Sequence, residues 1–278
     1  MKAVQPEASQ ALFLPAQRGQ RFCIFHAPYG GVTRGAVLYL HPLAEEMNKA
    51  RRMAALQSRA LAGLGYAVLQ IDLLGCGDSS GDSADATWSA WTDDARCAAT
   101  WLQARNPGPL WIWGLRAGCL LATAASHHLP SLAGLLLWQP PVSGQVLLQQ
   151  FLRIRAAQNL QDGQNKGVMA HLRAELAAGQ VVDIGGFALA PGLAQGLDAA
   201  KLEPAASCRR VAWMETSTRE PATPLSAGAT TVAAWREQGV AVHVAAVSGP
   251  AFWQTNEIED APALLEATNA FMAAQAPA

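Results

Sequence analysis

No histidine follows residue 243 in this 278-residue chain, and the others are His26, His41, His127, His128 and His171. Charge is scarce: 15% of residues are Asp, Glu, Lys or Arg, and 20 basic against 21 acidic residues leave a formal charge of −1. That balance removes the electrostatic case for nucleic acid or an anionic membrane as partner. The 51% apolar content excludes a disordered chain, which needs low hydrophobicity and high charge. Cysteine is sparse and odd in number, at Cys23, Cys76, Cys97, Cys119 and Cys208, without a CxxC or zinc-ligand spacing. A reducing, cytoplasmic setting is expected, with no metal and no cofactor. Residues Met1 to Gln10 hold no apolar run, so no secretion signal is expected, and the Leu132–Trp138 run is too short to span a bilayer.

What is present is a series of short apolar runs: 36–40, 67–72, 110–113, 134–138, 210–215 and 240–247. Runs apolar on both faces suit buried parallel strands. Helical spacing appears at 49–64, 87–102, 118–125 and 261–273. This alternation predicts an α/β fold with a mostly parallel sheet flanked by helices. Between 143 and 207 there is no convincing strand, only helical patterns at 146–159 and 167–178 and a Gly-rich stretch at 183–187. We expect a helical cap there, inserted after the sixth strand into a core of 1–142 and 208–278.

Trp113-Gly-Leu-Arg-Ala-Gly118 follows a strand and opens a helix. Glycines two residues either side of the centre allow a strand-to-helix turn that pushes the central side chain out over the sheet. His41-Pro42 after the third strand and Asp72-Leu-Leu-Gly-Cys-Gly-Asp-Ser-Ser-Gly81 after the fourth stand where α/β-hydrolases carry an oxyanion loop and a D-x-x-G-x-G-x-S loop. Over about residues 20 to 275 the chain resembles that superfamily. His41-Pro-Leu-Ala-Glu-Glu-Met-Asn-Lys49, Gly75-Cys-Gly-Asp78, Trp113–Gly118 and Phe252-Trp-Gln-Thr-Asn-Glu-Ile258 resemble the exosortase A system-associated hydrolases of the second type. The resemblance implies an α/β-hydrolase fold and a setting in bacterial exopolysaccharide production. It supplies no reaction.

The elbow centre, normally Ser, Cys or Asp in such hydrolases, is Arg116, which stays protonated and is no nucleophile. The triad histidine belongs after the last strand, where this chain reads Ser248-Gly-Pro-Ala-Phe-Trp253. A Ser–His–acid mechanism is therefore not expected. Arg116 heads a helix whose first amides, led by Ala117, favour an anion, so an anionic sugar, phosphorylated intermediate or acyl carrier is one expected ligand. An internal salt bridge in a dead site is the other reading, with Glu45, Glu46, Glu215 or Glu257 as partner. Glu215 ends its strand where the superfamily carries its acid. Glu46 or Glu257 could activate water in a non-triad hydrolysis of an ester or thioester, or Glu45 and Glu46 could simply open a helix.

His41 is expected to position the oxyanion loop, and Cys76 to be a poor nucleophile. Leu43, Ala117, Cys76, Glu45 and Trp253 are the candidate ligand contacts, Trp253 as a wall or a stacking surface. Two function classes stay open: a hydrolase of ester or thioester bonds, and a non-catalytic accessory protein that binds an anion or glycan. The Leu-rich cap segment at 146–152 could also serve a protein partner or a homodimer.

Overall fold

A computed structural model describes residues 9–275 apart from 32, 162–166 and 225, and describes the backbone but not the side chains of 157–161. The expected absence of a secretion signal in the first ten residues therefore falls almost wholly outside the described residues. An eight-stranded sheet runs in the order β1-β2-β4-β3-β5-β6-β9-β10. Its strands are β1 (Gln10–Pro15), β2 (Gln20–His26), β3 (Gly35–Leu40), β4 (Tyr66–Ile71), β5 (Leu110–Leu115), β6 (Gly134–Trp138), β9 (Arg210–Ser217) and β10 (Ala241–Ser248). β1 and β2 pair antiparallel, and β2 meets β4 antiparallel. From β4 to β10 every pairing is parallel. The fold is that of an α/β-hydrolase.

The strands read as continuous apolar runs because helices cover both faces. Alternate residues split between two cores. Ala36, Leu38, Ile112, Leu137 and Trp213 pack with α2 (Trp88–Arg105) and α3 (Ala117–Ser126). Val37, Tyr39, Trp113, Trp138 and Met214 pack with α1 (Glu45–Gly63) and α8 (Pro262–Ala273). Helix α7 (Ser226–Glu237), between β9 and β10, was not anticipated.

Between β6 and β9 lie α4 (Gly144–Gln161), α5 (Val168–Ala177), β7 (Val182–Ile184), β8 (Phe187–Leu189) and α6 (Pro191–Ala199). The expectation of no strand in this interval is corrected: β7 and β8 form an antiparallel hairpin. Its strands are only three residues each, too short for period-2 alternation to declare itself, and the Gly185-Gly186 pair of the Gly-rich stretch is its turn, both glycines with positive φ. No helix among the described residues is long and apolar enough to cross a membrane. No described group of three His, Cys, Asp or Glu side chains could hold a metal ion.

Candidate functional site

The elbow keeps its backbone. Arg116, between β5 and α3, sits at φ 54° and ψ −114°, a conformation costly for a residue with a Cβ. Two close approaches hold it there. A Cβ on Gly114 would overlap the Gly118 carbonyl, and one on Gly118 would overlap the Leu40 carbonyl of β3. Both glycines of the motif are thus explained by sterics. The Arg116 amide donates to the Trp138 carbonyl of β6 at 3.0 Å, fixing the turn to the next strand.

The guanidinium is 11% exposed and lies among side chains from three directions. Its Nε faces Glu46 Oε1 at 3.4 Å, its Nη2 donates to Gln150 Oε1 at 3.1 Å, and its Cζ stands 5.7 Å from the Trp253 ring centre. Gln254 Nε2 reaches the same Glu46 oxygen at 3.4 Å. Of the four candidate partners for Arg116, the structure brings up Glu46.

Glu46 sits in the first turn of α1, where the helix dipole favours its charge. Burial nevertheless pushes its carboxyl above the ordinary glutamate value, opposed by Arg116, Gln254 and Lys49. Its Oε2 is buried without a hydrogen bond among the described residues. Glu45 is exposed and pairs with Lys49 at 3.5 Å. The two glutamates do open a helix, as one reading expected.

These groups border a cavity of about 420 Å³, whose apolar wall is Leu43, Leu147, Phe151, Ile154 and Trp253. Glu45, Glu46, Lys49, Arg116, Gln150 and Gln254 line the rest. The cavity is of the size that small-molecule sites use. Of the candidate ligand contacts, Leu43, Glu45 and Trp253 line this cavity, whereas Ala117 and Cys76 do not.

His41 is buried and engaged at both ring nitrogens. Nδ1 donates to the Pro42 carbonyl at 2.7 Å, which leaves Nε2 to accept the Leu73 amide at 3.3 Å. Burial holds the imidazole below its ordinary pKa. The ring therefore ties the loop after β3 to the loop after β4 and does not line the Arg116 cavity. Cys76 is 7% exposed, and burial with Asp72 nearby pushes its thiol up to about 12, so it is no thiolate at neutral pH.

Glu215 is corrected in position. It lies inside β9, which runs on to Ser217, and its Oε1 accepts the Trp213 indole N–H at 2.6 Å. Strand alternation puts Trp213 and Glu215 on one face, a pairing that a reading of the strand end misses. Glu257 is exposed and outside the cavity lining, with its carbonyl accepting from Thr255 Oγ1. His243 is paired within β10 opposite Ala212 and stacks on Phe271, so it does not supply the missing triad base. No histidine lines the cavity. Phe252 and Trp253 fill the loop after β10, and their ring contact of 5.1 Å continues an aromatic chain through Trp138 to Trp113.

Gln150 and Gln254 were missed in the sequence. A lone neutral amide has no periodic or spacing signature, although the position of Gln254 beside Trp253 in the vacated loop was a signal to follow.

The serine aminopeptidase S33 family model matches residues 31–176, a span that includes the elbow and stops before β9 and β10. No curated protein matches the chain. Several solved structures share the fold. Est1E from Butyrivibrio proteoclasticus with bound ferulic acid superposes with a TM-score of 0.67 at 14% identity, over 94% of this chain and 98% of that one. A thermostable carboxyl esterase from Bacillus coagulans in complex with glycerol gives 0.62 at 15% identity, over 95% and 98%. An α/β serine hydrolase without a lid from Xanthomonas campestris gives 0.55 at 17% identity, over 98% and 94%.

Proposed function

The chain belongs to the serine aminopeptidase S33 family, and from that premise we propose that its elbow site is a ligand-binding pocket, not a Ser–His–acid centre. The observation that carries this is Arg116 at an intact, strained elbow, ion-paired with Glu46, stacked against Trp253 and bordering an open cavity. A guanidinium cannot attack an acyl carbon, and no described histidine is placed to take a proton there. What the hydrolase architecture retains without its nucleophile is a shaped cavity beside two helix N-termini, those of α1 and α3. The ligand is small and amphipathic, its apolar part against Leu147, Phe151 and Ile154 of α4, the first helix of the proposed cap. The likeness of the loops at 41–49 and 252–258 to exosortase A system-associated hydrolases favours exopolysaccharide production as the setting. Five free cysteines support a reducing, cytoplasmic compartment as part of the same proposal.

The test is a panel of short acyl esters and acyl thioesters given to the wild type and to Arg116→Ala. No turnover above background in either protein is expected. Turnover by the wild type that Arg116→Ala loses would overturn the binding reading.

One observation favours a second reading. The buried, unpartnered Glu46 Oε2 belongs to a carboxyl whose pKa burial raises, as a general base requires. In that reading Glu46 takes the proton of a water whose oxygen bonds to the acyl carbon, Arg116 stabilises the oxyanion, and as the acyl C–O or C–S bond breaks Glu46 returns the proton to the departing alcohol or thiol. It requires turnover that both Glu46→Gln and Arg116→Ala abolish.

A further inference from the structure

Four buried side-chain polar atoms among the described residues lack a hydrogen bond: Glu46 Oε2, Gln57 Oε1, Trp113 Nε1 and Trp253 Nε1. Two of the four belong to residues that line the elbow cavity. Arg116 adds a donor, because its Nη1 has no hydrogen-bond partner among the described residues. The other Glu46 oxygen is held by two contacts, both at 3.4 Å, near the outer limit of a hydrogen bond. Buried polar atoms left this way are costly, and native proteins keep few of them. Glu46 Oε2 and Trp253 Nε1 are closed off from solvent, and Arg116 Nη1 is the donor at the cavity left without a partner among the described residues.

Charge narrows what fills them. Arg116 and Glu46 cancel, and Lys49 and Glu45 at the rim cancel again. An anion drawn to Arg116 meets Glu46 3.4 Å from it, and a cation drawn to Glu46 meets Arg116. Either ion would give up its hydration for little net Coulomb gain. This revises the anionic ligand expected from Arg116 alone.

We infer that the pocket recognises an uncharged head group that both donates and accepts hydrogen bonds, carried on an apolar chain. The head donates to the Glu46 carboxylate and accepts from Arg116 Nη1, and the chain lies against Leu43, Leu147, Phe151 and Ile154. A primary amide and a pair of neighbouring hydroxyls share this chemistry. The inference rests on the pocket reading above and names its ligand class.

The experiment is calorimetric titration of the full chain with four probes that share an octyl chain, each below its micelle concentration. They are octanamide, octyl glucoside, octanesulfonate and octyltrimethylammonium. At neutral pH at least one uncharged probe is expected to bind about tenfold or more tightly than either ion, a difference of about 1.4 kcal/mol. Whether amide or glucoside binds identifies the head. Glu46→Gln leaves Arg116 uncancelled and is expected to strengthen octanesulfonate binding about tenfold. Arg116→Gln is expected to do the same for octyltrimethylammonium, so the charge logic is tested twice, with opposite sign. If octanesulfonate binds the wild type as tightly as the uncharged probes, the inference fails and the pocket reading stands. If no probe binds, both fail. Turnover in the ester panel removes the non-catalytic reading alone.

Discussion

Among the described residues, the arginine–carboxylate pairs Arg21–Asp94 and Arg116–Glu46 are built differently. Arg21 Nε meets Asp94 Oδ2 at 2.7 Å with side chains 3% and 5% exposed. Around that pair the bonds are short: Asp94 Oδ2 also accepts the Leu74 amide at 2.9 Å, and Arg21 Nη1 donates to the Arg18 carbonyl at 2.7 Å, although this pair too borders a cavity, of about 320 Å³. The pair ties β2, α2 and the loop after β4 together. Arg116 and Glu46 meet at 3.4 Å with 11% and 20% exposed, with one carboxylate oxygen unpartnered and a cavity alongside. The interior pair is joined by short bonds from three segments of the chain. The looser pair at the elbow has the geometry of groups that hold each other until a third partner arrives.

The largest effect should fall on the interior pair. Asp94→Ala leaves Arg21 charged, buried and unpaired, and we expect a loss of about 3–5 kcal/mol in denaturant unfolding. A loss under about 1 kcal/mol would erase the contrast. Replacing the elbow pair as a whole, Arg116→Met with Glu46→Met, should be neutral or stabilising by about 1 kcal/mol, because it removes unsatisfied polar atoms and keeps volume. Strong destabilisation of that double variant would make the elbow pair structural.

Proton binding does not separate the two pairs by direction, because burial raises the carboxyl of Asp94 as it raises that of Glu46. Glu46 has its carboxyl raised by burial, so it protonates before an ordinary glutamate as pH falls. Protonation removes its −1 and leaves Arg116 uncancelled. The charged groups facing it are Arg116 at the elbow and Lys49 on its own helix, the latter paired with Glu45. Gln150 of α4 and Gln254 of the loop after β10 are the neutral ones. Octanesulfonate affinity for the wild type should therefore rise as pH falls toward the carboxyl range, and Glu46→Gln should show a flat profile. The stability sign follows: a raised folded-state pKa makes charged Glu46 a cost at neutral pH, so Glu46→Gln should gain stability there, and the gain should vanish in acid.

A smaller effect concerns the loop after β4. Cys76, its thiol pushed up to about 12, should resist alkylation in the native protein at neutral pH and react only on unfolding. Rapid native labelling would mean that loop opens freely.

The sheet was legible because both its faces are covered, which leaves apolar runs such as 36–40 and 134–138 uninterrupted. The elbow was legible because Gly114 and Gly118 each meet a backbone carbonyl that excludes any Cβ. The partner of Arg116 was not. Glu45 and Glu46 are adjacent in sequence, and which one faces inward depends on the turn at Ala44, held at φ 52° without a glycine to announce it. Glu215 was placed at a strand end because its strand was taken two residues too short. The Arg21–Asp94 pair joins residues 73 apart and leaves no local trace. The β7–β8 hairpin was lost because three residues per strand carry too little pattern.

Double-mutant cycles on both pairs, read by denaturant unfolding, test the difference most directly. We expect a coupling of several kcal/mol for Arg21–Asp94 and about 1 kcal/mol or less for Arg116–Glu46. Equal couplings would contradict the claim that the elbow pair is held open for a ligand.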